Sequence, residues 1–332
     1  MKLEQKAQKL IKEYNMIDSR DNILVAFSGG SDSSALLFFM INYIGKDRIF
    51  AAHLNHMIRG EEADRDEKFA VGVCEKYNIK IFTERRNIPE IAKASKKSIE
   101  EAARDERYDF LAGVAKSIGG NVKIATAHTA SDNTETIIFN LSRGCGIDGL
   151  RGIAPINKNI IRPLLSCSTQ DVSEYCEKYN ISYVQDGTNS DETYTRNFIR
   201  HSVASKLKEK FSNLDENIFK TAEIIRDTAD FLSSCADDII KNNTDGIDVD
   251  FLLKQHKSLR RAVISKLYEN AVFPDVKKLE YKHVLYVEEL AGTNCVRPRS
   301  IDLPGFVTAS VSSDKKIVFE RLAGKKTSGN RR

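Results

Sequence analysis

The sequence predicts an α/β protein: a parallel sheet with helices on both faces, followed by a smaller, mainly helical domain with short terminal strands. Over the first two hundred residues, short β-branched runs alternate with longer stretches whose apolar period is near 3.6, the pattern of repeated βαβ units. The strand runs are almost continuously apolar, as in 23–27 (ILVAF), which suits strands covered on both sides. Past residue 213 that alternation stops and helical seams take over.

The elements follow in order. The first seventeen residues place apolar groups at helical spacing among charges and lack the apolar core of a secretory leader. Strands are expected at 23–27, 49–55, 79–83, 122–127 and near 160–162. Helices are expected between them at 33–44, 61–77, 99–117, 132–141 and 170–179, and a further one at 195–210. The polar pair Ser212 and Asn213 reads as a linker. Ile218, Ala222, Ile225, Ala229, Leu232, Ala236 and Ile239 then form one seam of a long helix over 215–241. Helical patterns at 259–271 and 276–290 precede strand-like pieces over 293–320, broken by Pro298, Pro304 and Gly305. The expected division is a domain at 1–212, a mainly helical domain at 213–322 and a basic, disordered tail at 323–332.

A length of 332 residues exceeds what one core usually organises, so two domains of ~100–200 residues are expected. With 41% hydrophobic and 30% charged residues, a mostly disordered chain is excluded. The longest apolar run, 35–44, is interrupted by Asn42 and falls short of the ~18–20 residues that cross a bilayer. No membrane segment and a cytoplasmic location are expected. The six cysteines include no CxxC pair, which points to reduced thiols rather than a disulfide framework or zinc ribbon. The net charge of +4 is unevenly spread: +2 over 1–212, −7 over 213–253 and +9 over 254–332. A basic C-terminal third suits a polyanion such as a phosphate backbone, although solvated lysines on a helical face give the same pattern.

The sharpest local signal is Phe27-Ser28-Gly29-Gly30-Ser31-Asp32-Ser33-Ser34, between the first strand and its crossover helix. Adjacent glycines let the backbone bend and approach a ligand, and the N–H groups of Gly30 to Ser33 would converge at the positive end of the helix dipole. The hydroxyls of Ser28, Ser31 and Ser33 can add donors. Neither a Walker loop nor the GxGxxG dinucleotide fingerprint fits this spacing. SGGxDS after a buried strand instead resembles the pyrophosphate loop of the N-type ATP pyrophosphatases, whose sheet is Rossmann-like and which cleave ATP between its α and β phosphates. Asp32 would then hold Mg²⁺ against the pyrophosphate oxygens; the bland alternative is a helix-start acid.

Further segments narrow the resemblance: AHLNH at 52–56, EEAARDERY at 100–108, TAHTASDNTET at 126–136, LSRGCG at 141–146, RPLL at 162–165, DGTN at 186–189 and RNFIR at 196–200. Taken in order, they are similar to the tRNA(Ile)-lysidine synthetase family, strongly over residues 20 to about 210 and only in general pattern beyond. The resemblance implies ATP-dependent ligation of free L-lysine to the wobble cytidine (position 34) of tRNA(Ile), through adenylation at O2 and displacement of AMP. It implies that Asp132 and Glu135, three apart on one helical face, hold the lysine ammonium. It also gives His128 a role at the ATP phosphates and Arg200 a place at the active centre, and makes Arg107 or Arg104 the arginine that meets charge developing at phosphorus. His53 and Asn55, closing the second strand, would lie beside the nucleotide. The basic second domain would grip the anticodon arm, and a homodimer is compatible with the sequence.

Two positions depart from the family's usual HHxDD form: Thr129 stands for its second histidine and Ser131 for its first aspartate. The rival readings are a tRNA 2-thiocytidine-type thiolase, disfavoured by the missing CxxC pairs, and a non-catalytic adenine-nucleotide binding module.

Overall fold

A computed structural model of the chain describes residues 2–184, 195–272, 279–292 and 299–322. The DGTN segment, Cys295, Pro298, the start of the helix expected at 276 and the basic tail lie outside the described residues. The chain divides into two compact units, one made of residues up to 145 and 149–223, the other of 146–148 and 224 onward.

The first unit is built on a six-stranded sheet. Its strands are β1 (Asn22–Ala26), β2 (Ile49–Asn55), β3 (Lys80–Arg85), β4 (Val122–Ala125), β5 (Ile156–Asn157) and β6 (Ile160–Ile161), in the order β3-β2-β1-β4-β6-β5. All pairs are parallel except the β5–β6 hairpin, with Val25 facing Ala51 on one side and Ala125 on the other. Alternation along β1 explains its continuous apolar run. Ile23 and Val25 join a core with α1 (Leu3–Glu13), α2 (Ser31–Ile44), α3 (Glu61–Tyr77) and α8 (Thr169–Tyr179). Leu24 points the other way, into a core with Phe110, Leu111 and Val114 of α5 (Ile99–Ile118). Both faces are covered, as expected. From β1 the chain winds outward through β2 and β3, then returns to place β4 on the opposite side, so the loops after β1 and β4 diverge and leave a crevice at the carboxyl ends of the strands.

Three local features depart from the sequence reading. Helix α4 (Ile88–Ser95) is too short to carry a period, yet it is specified by Asn87, whose side chain accepts from the Glu90 N–H, and by Pro89 in its first turn. The single helix expected at 195–210 is α9 (Thr195–Phe198), a π-helical stretch Ile199–Ala204, and α10 (Ser205–Lys210). The remaining short helix of this part, α7, is Ile147–Leu150. Helix α6 (Ala130–Ser142) starts two residues before the reading, because Thr129 caps it.

The long helix α11 (Leu214–Lys241) contributes its first turns to the first unit and the rest to the second. The second unit continues with β7 (Ile247–Asp248), α12 (Val249–Lys254), α13 (Lys257–Val272), α14 (Tyr281–Gly292), β8 (Arg299–Leu303), β9 (Val307–Val311) and β10 (Lys316–Arg321). Its sheet is antiparallel in the order β7-β10-β9-β8, packed on Val263, Ile264 and Tyr268 of α13. The short pair β7 and α12 escaped the sequence reading; Asp248 caps α12 by accepting from the Phe251 N–H at 2.7 Å.

Candidate active site

The loop after β1 is shaped before any ligand arrives. The Phe27 N–H donates to the Ala52 carbonyl at 2.8 Å, which keeps the chain on the sheet to its last residue. Gly29 then takes φ +91°, and a Cβ there would sit 3.2 Å from the Phe69 ring, so a side chain is excluded twice over. Gly30 has φ −73° and a Cβ would meet nothing closer than the Ser28 hydroxyl at 3.6 Å. Nothing within the folded chain requires glycine at position 30, which leaves the approach of a ligand as its physical reason.

The sequence suggested free N–H groups from Gly30 to Ser33 and three available hydroxyls. Part of that set is already engaged. Gly29 N–H donates to Ser33 Oγ (3.1 Å), Gly30 N–H to Ser28 Oγ (3.4 Å), and Ser33 Oγ to the Gly30 carbonyl (3.0 Å). Among the described residues the N–H groups of Ser31, Asp32 and Ser33, the opening turn of α2, have no acceptor. These three are the donors left open at the start of the helix.

Across the crevice, α6 presents Asp132 and Glu135 together. Asp132 Oδ2 accepts from the Thr129 N–H (2.8 Å) and hydroxyl (3.1 Å), closing the helix cap. Its Oδ1 accepts from Nη2 of Arg196 and of Arg200, both at 3.3 Å. Glu135 is buried and bonded to the same two guanidinium groups, through Arg200 Nε at 2.6 Å and Nη2 at 3.1 Å and Arg196 Nε at 3.2 Å. The carboxylates expected to receive a cation therefore already hold two. Arg200, the arginine that the resemblance favoured, makes the closer contacts to Glu135, while Arg196, one turn earlier, is the one of the two that lines the crevice.

Asp32 lies in the field of this cluster. Burial, reinforced by the charges of Asp132 and Glu135 and opposed by Arg200, pushes its carboxyl up to about 6. Among the described residues no group of three or more His, Cys, Asp or Glu side chains could hold a metal, so an ion against Asp32 would depend on phosphate oxygens to complete its shell.

Glu135 and Arg200 stand behind Asp132 and do not line the crevice. Ser28, Gly30, Ser31, Asp32 and Ser33 of the loop, with Asp132 and Arg196 opposite, line a cavity of about 1190 Å³. That exceeds the ~300–1,000 Å³ of ordinary small-molecule pockets and leaves room for a nucleotide with a second planar group. On its wall, His53 Nδ1 pairs with the Phe27 carbonyl at 2.9 Å, and burial lowers the ring's pKa. Asn55 spends both amide hydrogens on Asp64 (3.2 Å) and Glu67 (2.9 Å) while its oxygen accepts from the Met57 N–H, so its side chain braces the strand end. His128 Nδ1 pairs with Thr126 Oγ1 at 3.0 Å; burial, against the pull of Asp132, pushes it down to about 4 and keeps it neutral.

The two candidate arginines of α5 part company. Arg104 lies over the Tyr108 ring at 5.2 Å, whereas Arg107 lines the cavity with no ion pair among the described residues, its pKa lowered by burial. The sequence reading passed over His56, which also lines the cavity. Burial and then Arg107 push it down to about 4, and its Nδ1 is buried without a hydrogen-bond partner among the described residues. The only hint of it was its place at the end of the AHLNH segment, next to Asn55. None of the described cysteines borders the cavity.

Comparison with known proteins returns a family model described as a PP-loop domain over residues 1–207. The tRNA(Ile)-lysidine synthase of Caldanaerobacter subterraneus subsp. tengcongensis is 36% identical over 97% of this chain and 70% of its own length. That of Clostridioides difficile is 31% identical over 96% of this chain and 72% of its own. The enzyme of the same name from Thermosipho africanus is 41% identical over 69% of this chain, which spans 54% of that relative. Among solved structures, U34-tRNA thiolase NcsA from Methanococcus maripaludis, with its [4Fe-4S] cluster, shares the fold at a TM-score of 0.55 and 16% identity, over 68% of this chain and 78% of its own. No helix among the described residues is long and apolar enough to cross a membrane.

Proposed function

We propose, for a chain that belongs to the tRNA(Ile)-lysidine synthase family and carries its PP-loop domain, that it joins free L-lysine to C2 of the wobble cytidine of a tRNA(Ile) with a CAU anticodon. ATP would be cleaved to AMP and pyrophosphate. The observation that carries this reading is the pairing, across one cavity, of a phosphate-type loop with Asp132, which is joined through Arg196 and Arg200 to Glu135 on the same helical face.

The cytosine carbonyl oxygen is a poor leaving group, so it must first be activated. In the first step O2 attacks the α-phosphorus and pyrophosphate departs onto the N–H groups of Ser31, Asp32 and Ser33. Ser28, Gly29 and Gly30 complete the cradle, and Gly30 gives the phosphates room. Arg107, which faces the cavity, stabilises the charge that grows on phosphorus. Neutral His128 can donate to the phosphate without adding a further charge beside Asp132. His53 and Asn55 hold the strand end against which the nucleoside rests. Mg²⁺, held by Asp32, would supply charge neutralisation at the pyrophosphate oxygens.

In the second step the ε-ammonium of lysine gives a proton to solvent in the open crevice, and the free amine attacks C2. The attached nitrogen releases a second proton to solvent, and AMP departs with the former O2. Asp132 and Glu135 bind the ammonium form; because Arg196 and Arg200 already occupy them, lysine must share or displace these guanidinium groups. The anticodon arm as partner, recruitment by the basic residues beyond 254, and a cytoplasmic location go with this reading. Sulfur transfer is the weaker reading: Cys74 and Cys167 are buried, with thiols pushed up to about 12, far from thiolate character. Incubation with ATP, the tRNA transcript and radiolabelled lysine tests the proposal. Lysine fixed to one cytidine with stoichiometric AMP supports it, and label-free tRNA overturns it.

A further inference from the structure

We infer that Asp215, at the start of α11, is a positioning residue for the lysine-binding carboxylates and supplies the negative charge beside Ser131 and Lys208. The inference rests on the lysine-ligation reading and names a residue outside the sequence motifs.

Asp215 is buried, and each of its oxygens is taken. Oδ2 accepts from the Ser131 hydroxyl at 2.7 Å and pairs with Lys208 Nζ at 2.8 Å; Oδ1 accepts from the Thr134 hydroxyl at 2.8 Å. Ser131 also meets Thr169 Oγ1 at 2.8 Å and Lys208 Nζ at 3.1 Å. The placement is what gives this cluster meaning. Ser131 and Thr134 immediately precede Asp132 and Glu135, while Lys208 lies two turns after Arg200 on the helical stretch that carries both arginines. One carboxylate thus ties the acidic helix to the segment bearing its arginines, behind the surface that faces the cavity.

A buried charge is costly unless it is paired and hydrogen-bonded, so the buried Asp215 depends on Lys208, and the two hydroxyls orient its carboxylate. If the family's aspartate were present at 131, its charge would sit within a residue's length of this same lysine. With Ser131 in place the charge beside Lys208 comes from Asp215 on another helix, and the Ser131 hydroxyl donates to it. Removing Asp215 would leave the half-buried Lys208 without a counter-charge and free α6 to shift relative to the Arg196–Arg200 fork. Lysine capture should suffer first, because it depends on where Asp132 and Glu135 stand; the phosphate loop, on α2, should not.

The test uses the full chain and separates the two half-reactions. Wild-type protein is first assayed for lysine ligation and for tRNA-dependent ATP–pyrophosphate exchange without lysine; absence of ligation would defeat the underlying reading and not the clamp. Given a ligating enzyme, Asp215→Ala should raise the lysine KM by about tenfold or more, the loss expected when a buried polar partner is removed, with exchange within about twofold of wild type. Thr134→Val, which removes one leg and leaves the ion pair, should raise the lysine KM less. The exchange of positions, Ser131→Asp with Asp215→Ser, should return the lysine KM to within about threefold of wild type by restoring the charge beside Lys208. An unchanged lysine KM in Asp215→Ala, a parallel fall of ligation and exchange, or a double variant no better than the single one would each overturn the assignment.

Discussion

Asp32 is a carboxylate held under electrostatic tension. Its carboxyl is pushed up to about 6 from 3.8, so between those values the folded chain holds a proton that the unfolded chain has released, and stability falls as pH rises through that window. Removing the charge should therefore stabilise. Asp32→Asn is expected to raise the unfolding free energy by about 1–3 kcal/mol at pH 7.5, with the gain disappearing near pH 4, while abolishing pyrophosphate release. Denaturant titrations at the two pH values check this; an equal effect at both would refute the electrostatic cause. At the same scale, Arg107→Lys keeps a charge but loses the planar fork, and should lower kcat by about a hundredfold with little change in the ATP KM. Steady-state kinetics decide it. His56 and His128, both pushed down to about 4, are already neutral through the working range, so an acid limb near pH 6 in ATP turnover should belong to Asp32 and not to an imidazole.

The elements give the loop its meaning, and its two glycines differ in kind. Gly29→Ala meets both a positive φ and the Phe69 ring and should cost about 1–3 kcal/mol of stability. Gly30→Ala should leave stability within about 0.5 kcal/mol and raise the ATP KM, because only the ligand needs that space. Thermal melts and nucleotide titrations on the pair separate the roles; equal destabilisation would remove the argument for position 30. Much at this scale was legible in the sequence. The bounds of β2 and α3 were read to the residue, because strand burial and helix amphipathicity write themselves as short-range periods. Helix α4 and the pair β7–α12 were not, since each is shorter than the period that would reveal it and is set by caps. The π-helical stretch was also hidden: one added residue in a helical turn leaves no mark on a pattern that already carries Arg196 and Arg200 four apart.

For the molecule as a whole, the phosphate loop was readable because all its parts are contiguous. The fork of Arg196 and Arg200 on Asp132 and Glu135 was only half readable: the residues are about sixty positions apart, and nothing local says that guanidinium groups fill the carboxylates. The second unit carries the basic segment but no signature of its own. If it binds the tRNA backbone, replacing exposed Lys257 and Lys315 with Glu should weaken tRNA binding and flatten its salt dependence, by about one unit of slope for each phosphate no longer neutralised. Filter binding across salt concentrations tests that. The central claim is that the crevice cleaves ATP between its α and β phosphates in order to place lysine on a cytidine. Its most direct test follows α-labelled ATP and labelled lysine together in one reaction with the tRNA. AMP and pyrophosphate formed in step with lysine bound to a single cytidine is the result expected here, whereas ADP with orthophosphate, or AMP without lysine transfer, would contradict it.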